Sequence, residues 1–515
     1  MNINATTNEK KPPYGIIVIL MAGAFVAFLN STLLNIALPS ISADFEIDPS
    51  IGQWLITGYM LVNGVMIPTS AFLIQKYSTR RLFITAMSLF AFGTIMAGMA
   101  HSFPILLLSR MIQASGSSIM LPVLMNFLLT SFPVEKRGSA MGVFGLIMTF
   151  APAIGPTLSG YIVEHYEWRM LFYVVSPIAI IVLILAIFKI KDKKEKVDIH
   201  IDRLSVVLSS LGFGGLLYGF SSAGTKGWTN IHVYGTLIVG AIALIFFVLR
   251  QLKMTTPMLE FRIFKYPLFS LSAVITIVIN IALFSAMLLM PMYIQTVRGI
   301  SPFHSGLLLL PGAIIMGIMS PINGRLFDKY GARTLALIGL TLTAITTYMF
   351  SQLSMTTTTT TLVLIYSVRM LGMSMVMMPI MTNGLNELPQ RMNPHGTALN
   401  NTLSQVSGAI GSAVMITIMS QRTATHGEEL AAQAMKEMSN STTQPTPEAL
   451  ATMQEQLGMQ AMLEGINDTF LISVGVVLVA LILSFFVKRA VPPKETEEQT
   501  SPTKNKNKLK VSDNR

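Results

Sequence analysis

Apolar stretches separated by short polar ones run almost the whole length of this 515-residue chain. Fourteen of them approach or exceed the roughly 20 residues that a helix needs to cross hydrocarbon. They lie near 14–38, 51–74, 82–100, 104–131, 138–163, 168–188, 204–222, 231–250, 268–294, 303–323, 332–353, 360–385, 395–420 and 468–488. Backbone groups in lipid must find partners within the chain, so such runs predict an all-α polytopic membrane protein with 14 transmembrane helices. The polar breaks alternate in character. One set carries Lys76, Arg80 and Arg81; Lys136 and Arg137; the basic stretch Lys189 to Arg203; Arg250 to Lys265; Arg325, Lys329 and Arg333; and Arg391. The other holds little beyond Arg169, Lys226, Arg298, Arg422 and Lys436, and its first member is acidic at Asp44, Glu46 and Asp48. Lysine and arginine mark the cytoplasmic side. Both termini are therefore expected in the cytoplasm, with the chain in the cell membrane. The first run, from Tyr14 to about Leu38, is too long for a signal-peptide core and reads as a retained span.

The chain also repeats itself at an offset of 253–259 residues. AFLIQKYSTRRLFI (71–84) aligns with GRLFDKYGARTLAL (324–337), Arg110-Met111 with Arg369-Met370, and Ala153-Ile154-Gly155 with Ala409-Ile410-Gly411, all in the same order. A parallel duplication predicts two pseudo-symmetric six-helix bundles with a solute site between them near the midplane. Spans seven and eight are then two extra central helices. The expected division is a cytoplasmic tail at 1–13, a first bundle at 14–190, a linker with the inserted pair at 191–267, a second bundle at 268–490, and a disordered cytoplasmic tail at 491–515. Within the second bundle, 421–467 reads as a long outer loop, broken by STTQPTP with Pro447 opening a short helix.

Composition sharpens this picture. Hydrophobic residues make up 52% of the chain and charged ones 12%, about half the charged share of a soluble protein. The net charge of +11 sits in short loops between apolar runs, which speaks for membrane orientation and against nucleic acid as a partner. With no cysteine there is no disulfide, thiolate metal site or cysteine nucleophile. No GxxxxGK[ST], HExxH, CxxC or GxSxG occurs, so neither ATP-driven transport nor an enzyme is expected, and no cofactor or metal is called for.

Gly145 to Gly160, GLIMTFAPAIGPTLSG, is the most informative stretch. Pro152 and Pro156 bend a spanning helix and free carbonyls that neighbours must satisfy. Ala151, Gly155 and Ser159 recur every four residues and form a smooth ridge for a close-packed partner. APAIGPTLSG resembles the fifth-helix antiporter motif of drug:proton antiporters in the major facilitator superfamily. FLNSTLLNIALP in span one resembles the LDxTxxNxALP signature of its fourteen-span QacA/EmrB group, above all the lincomycin-efflux branch.

The resemblance implies a major facilitator fold and a seam between its halves at Ala151, Pro152, Gly155, Pro156, Ser159 and Gly160. It implies a gating loop like the family's GxLaDrxGrrxxl. The first copy, which contains Arg80, departs at Ala71, Gln75 and Ser78, whereas the second keeps Gly324, Asp328 and Gly331. A latch of Asp328 with Arg333 is expected there. Arg110 and Gln113 resemble the fourth-helix RxxQG motif, with Arg369 as the second-half counterpart. An arginine so placed costs about 2.5–3.5 kcal/mol on insertion scales unless it finds partners or snorkels.

One departure matters most. Asn30 stands where the signature has its acid, and none of the 25 Asp and Glu falls mid-span. Proton coupling then rests on Glu164, Asp328 or Glu387, although VEHYEWR also offers Glu164 a pairing with Arg169. The expected substrate cavity is lined by Asn30, Asn35, Trp54, Tyr59, Asn63, Arg110, Gln113, Asn280, Tyr293, Arg369, Asn400 and Gln405. Amides, aromatics and flexible methionines suit small amphipathic drug-like solutes. The expectation is a secondary exporter of such drugs, lincomycin-type or similar, exchanging them for protons across the lipid bilayer. Export of an endogenous lipid or metabolite on the same scaffold, or a non-transporting sensor, stays open, as do an adaptor protein and the oligomeric state.

Overall fold

A computed structural model of the chain describes residues 13–191, 202–439 and 447–490. The tail expected at 491–515, and all of the tail at 1–13 except Pro13, lie outside the described residues. The first half comprises α1 (Tyr14–Asp44), the short α2 (Pro49–Gly52), α3 (Trp54–Lys76), α4 (Thr79–Gly98), α5 (Phe103–Ser131), α6 (Arg137–His165) and α7 (Met170–Lys189). The inserted pair is α8 (Arg203–Lys226) and α9 (Ile231–Lys253). The second half comprises α10 (Pro267–Met292), α11 (Pro302–Tyr330), α12 (Ala332–Phe350), α13 (Thr359–Ser374), α14 (Met377–Asn386), α15 (Asn393–Ser439) and α16 (Pro447–Ser484). Short 3-10 turns precede α6, α10 and α15. Among the described residues, 14 helical segments are long and apolar enough to cross a membrane, matching the predicted number.

Local chemistry sets the helix ends. Pro267 and Pro302 sit in first turns, where a missing N–H costs nothing. Asp202 and Asn230 cap α8 and α9 through side-chain oxygens that accept from Ser205 N–H (3.2 Å) and His232 N–H (2.9 Å). The two repeat copies turn differently. Gly331 ends α11 at φ 79°, a left-handed value that favours glycine, whereas Ser78 starts α4 at φ −72° and caps it with its hydroxyl. Replacing the second glycine by serine is therefore strain-free in the first copy.

Packing repeats with the sequence. In the first half α1 packs on α6 and α7, α5 on α3 and α4, and α4 on α7. In the second half α10 packs on α15 and α16, α13 on α11 and α12, and α12 on α16. These are the same pairings, helix for helix, and they make two bundles with one plan. The bundles meet where α6 lies on α11 and where α3 lies on α15, two seams that the repeat relates to one another. The inserted pair breaks the symmetry: α8 packs on both α3 and α15, and α9 lies outside α8. Glycines bring that pair close, since a Cβ on Gly215 would come within 2.9 Å of the Thr236 carbonyl oxygen.

The segment 421–467 differs from the expected loop. α15 continues as a helix to Ser439 and α16 begins at Pro447, so both spans extend past the bundle as a helical hairpin. Ala, Gln, Glu and Met are strong helix formers, and their polarity alone does not end a helix. Arg422 and His426 on α15 reach Asp468 on α16 at 2.5 and 2.9 Å and tie the hairpin's base.

Candidate functional site

The two bundles meet at two seams, α6 on α11 and α3 on α15. At the end of the bundle that carries the basic loops, Gly138, Gly142 and Gly145 of α6 face α11. A Cβ on Gly142 would lie 2.6 Å from the Ser320 carbonyl oxygen and 2.9 Å from Pro321 Cα. One on Gly324 would lie 2.9 Å from the Gly138 carbonyl carbon. Backbone meets backbone at Gly142 and Gly324, while the Phe150 ring of α6 packs on Gly317 of α11.

Asp328 closes this seam. Its Oδ1 accepts Gly138 N–H at 2.9 Å, and its Oδ2 accepts Ser139 N–H at 2.9 Å and the Ser139 hydroxyl at 2.6 Å. First-turn N–H groups lack helical partners and carry the positive end of the helix dipole, so a carboxylate suits them. The latch therefore spans the two halves. The expected partner Arg333 is instead exposed on α12, beyond the Gly331 turn. Nearby, Arg137 donates to Asn386 Oδ1 at 3.2 Å, Arg489 donates to the Asp328 carbonyl at 2.7 Å, and Arg80 donates to the Ile187 carbonyl at 3.1 Å.

The ridge singled out in the sequence points elsewhere. Gly155 packs on Thr32 of α1, and the Ser159 hydroxyl donates to the Leu33 carbonyl at 2.5 Å. Ala151, Gly155 and Ser159 thus seal α6 to α1 inside the first bundle. At 3.6 residues per turn their mean direction lies roughly 100° around the helix from that of Gly138, Gly142 and Gly145. Of the expected seam residues, Gly160 does reach α11, with Phe303 at 3.7 Å from its Cβ position, while Pro152 is half-buried. The side chains of Pro156 and Asn35 lie outside the described residues.

At the other seam, the Gln75 side-chain amide on α3 meets His395 Nε2 on α15. His395 Nδ1 accepts Glu260 N–H, from the linker, at 3.2 Å. The next linker residue back, Leu259, donates its N–H to Gln251 Oε1 at 3.2 Å, and the Gln251 amide donates to the Ser205 hydroxyl at 2.6 Å. Ser205 also donates to Asp202 (2.5 Å), which Arg250 holds at 2.6 and 3.0 Å. Those Arg250 hydrogen bonds, above all, keep the Asp202 carboxyl below the usual carboxylate range. A continuous polar chain so joins the inserted pair to the α3–α15 seam.

Four expected cavity residues converge inside the first bundle. Arg110 donates to Gln113 Oε1 and lies 4.3 Å over the Tyr59 ring. The Gln113 amide donates to Thr94 Oγ1 (2.7 Å), Tyr59 to Ser117 Oγ (2.7 Å), and Ser117 to Asn63 Oδ1 (3.4 Å). Arg110 is 1% exposed and does not snorkel. Its repeat partner Arg369, 0% exposed, donates to Thr347 and to the Ala282 carbonyl (3.0 Å). Among the described residues neither arginine pairs with a carboxylate.

The other expected lining residues are scattered. Asn30 is buried with its amide nitrogen unpartnered among the described residues. Asn280 joins α10 to Ser404 of α15 at 3.2 Å, with Asn400 buried and Gln405 half-buried on α15. Trp54 stacks on Tyr218 of α8 at 5.8 Å, and Tyr293 donates to the Ser354 carbonyl at 2.7 Å, so both are engaged outside the central cluster. Of the proton-coupling candidates, Glu164 is exposed, and Arg169 pairs with Asp44 (3.0 Å) rather than with it. Glu387 accepts Phe269 N–H at 2.7 Å and caps α10. Sequence reasoning passed over Gly138, Ser139, Gly142, Thr94, Ser117 and His395. The repeat itself held a signal for the last: Arg137-Gly138-Ser139-Ala140 aligns with His395-Gly396-Thr397-Ala398 at an offset of 258.

Comparison with known proteins adds to this geometry. The sequence profile described as Major Facilitator Superfamily matches residues 20–412. The chain is 47% identical to the "Uncharacterized MFS-type transporter YhcA" of Bacillus subtilis (strain 168), covering 94% of this chain and 95% of that one. It is 40% identical to the "Lincomycin resistance protein LmrB" of the same strain, covering 95% and 98%. Among solved structures, the human organic anion transporter MFSD10 (TETRAN) superposes with a TM-score of 0.60 at 11% identity, over 91% of this chain and 100% of that one, a likeness of fold.

Proposed function

The chain belongs to the Major Facilitator Superfamily, and we propose that it exports small amphipathic drugs, lincomycin-type or similar, in exchange for protons by alternating access. The basic loops assign the Asp328 end to the cytoplasm, with both termini there. In this reading the structure is a cytoplasm-closed state. The α6–α11 seam carries the proposal: it is lined by glycines on both helices and closed by one carboxylate on a helix N-terminus. Such an interface parts without breaking a core.

Hydrogen bonds to a charged group contribute about 1.5–3 kcal/mol each, net of exchange with water. One charge moving down 100 mV supplies about 2.3 kcal/mol. One proton thus offsets about one of the three bonds to Asp328, enough to bias the latch and not to open it alone. The substrate class rests on the lincomycin-resistance relative and on the amide- and aromatic-rich cluster around Arg110.

Purified protein in sealed vesicles with a pH dye inside tests the reading. Adding lincomycin or an amphipathic dye is expected to move protons against the solute. If neither produces proton movement or solute uptake, drug:proton antiport is wrong, and uptake of a lipid probe alone would favour an endogenous substrate.

A further inference from the structure

We propose that His395 is a proton-binding site of the cytoplasmic seal, and that protonating it releases the α3–α15 seam while the α6–α11 seam stays shut. The inference rests on the transporter reading for its sidedness, though the site itself is defined by geometry. His395 is the third residue of α15 and 7% exposed, held between α3 and the linker. Its Nδ1 is an acceptor, because what it faces is the Glu260 N–H donor at 3.2 Å. A neutral ring with its hydrogen on Nε2 meets both neighbours, since a glutamine amide can turn its oxygen toward that hydrogen. A second proton goes on Nδ1, and the ring then sets N–H against N–H.

Among the described residues no carboxylate pairs with the ring. Glu260 is occupied by Arg262, whose backbone N–H and guanidinium lie at 3.1 and 3.5 Å, and Glu387 by Phe269 N–H. Asp202 is held by Arg250 at the base of the inserted pair. Lys76 at the end of α3, Lys265 in the linker, Arg203 on α8 and Arg391 before α15 are all cationic. The site also lies in the first turn of α15, where the helix dipole disfavours a cation. A charged ring is therefore relieved by water, which reaches it only if α3 and α15 part.

The repeat makes the contrast internal. Gln75 aligns with Asp328, and His395 with Arg137. One copy of the seal places a fixed anion on a helix N-terminus; the other places a titratable ring at the equivalent turn.

The absence of cysteine makes the test clean, because introduced thiols are the sole labelling sites. Spin labels at Tyr77→Cys and Gln390→Cys, both exposed, straddle the α3–α15 seam, and labels at Lys136→Cys and Tyr330→Cys straddle the α6–α11 seam. Distances are read by pulsed EPR in nanodiscs between pH 8 and 5 without drug. The first pair is expected to gain a longer-distance population as pH falls, its ratio changing by up to about tenfold per pH unit, the ceiling for one proton. The second pair is expected to stay put. His395→Gln should hold the short distance at every pH, and His395→Lys should show the long one even at pH 8. His395→Asn serves as a second neutral variant should either fail to fold. Undiminished lengthening in His395→Gln or His395→Asn, or equal lengthening of both pairs in the unsubstituted background, overturns the proposal. Drug is absent from the measurement, so a titrating seam in a protein that moves no drug would sink the export reading and leave this one standing.

Discussion

The α6–α11 and α3–α15 seams occupy equivalent places in a duplicated plan, yet they are built from different materials. The first is two glycine-rich backbones in contact, with a carboxylate at one end. The second is overlaid by α8, wired to the linker, and closed by an imidazole and an amide. The first has few side-chain knobs to lift over and a strong terminal latch, which suits sliding. The second carries the inserted pair with it, so opening there must also move α8 or break the chain of hydrogen bonds from Ser205 to Gln75. In the export reading, two seams on one plan would serve differently, the first as a bearing and the second as a clasp.

The largest expected effect comes from putting bulk into the bearing. Gly142→Val sets new atoms against the Ser320 carbonyl and Pro321 Cα, and overpacking of that kind costs about 1–3 kcal/mol. Vesicle transport should fall at least about tenfold with normal expression. Gly214→Ala, on α8 where the nearest atom to a new Cβ is 3.6 Å away, should stay within about twofold and gain some helix stability. Equal tolerance of both would erase the distinction between the seams. Next comes Asp328→Asn, which keeps the shape and removes the charge. The latch should weaken by about 1–2 kcal/mol, a 5–30-fold shift toward the longer distance between labels at 136 and 330. An unchanged distribution would mean that the glycine contact alone holds the seam.

The smallest effect belongs to the far end of the clasp's polar chain. Asp202 has its carboxyl lowered by Arg250, so its stabilisation is full above the unfolded value near about pH 4 and fades as pH falls through the lowered one. Arg250 is 40% exposed, and solvent screens the pair. Asp202→Asn should therefore lower the melting temperature by about 1–2 °C at pH 7, with the difference closing in strong acid. A difference that instead grows in acid would reverse this assignment.

Span number and pseudo-symmetry were legible because both rest on coarse signals, apolar length and a motif repeated in order. The facing of α6 was not. Small residues occur on several sides of that helix: spacing predicts a close-packed partner without saying which, the motif's resemblance implies the seam between halves, and the ridge faces α1. Helix in 421–467 was missed because polarity and one proline-threonine break were weighed above the propensity of the flanking residues. The Arg110 cluster was half visible: Arg110 and Gln113 stood out by motif, while Thr94 and Ser117 carry no pattern beyond a hydroxyl. His395 was hidden in a loop-like context, RMNPHGTALN, until its alignment with Arg137 gave it a position.

The overlay of α8 and α9 on one flank leaves the molecule lopsided toward its surroundings. A greasy solute in the surrounding bilayer would meet a double wall on that side, two helices deep. On the α6–α11 side, among the described residues, it would meet only the close contact of those two helices, with no helix of the inserted pair laid over them. In the export reading proposed above, the thinner flank is the one that a solute arriving from the bilayer would use.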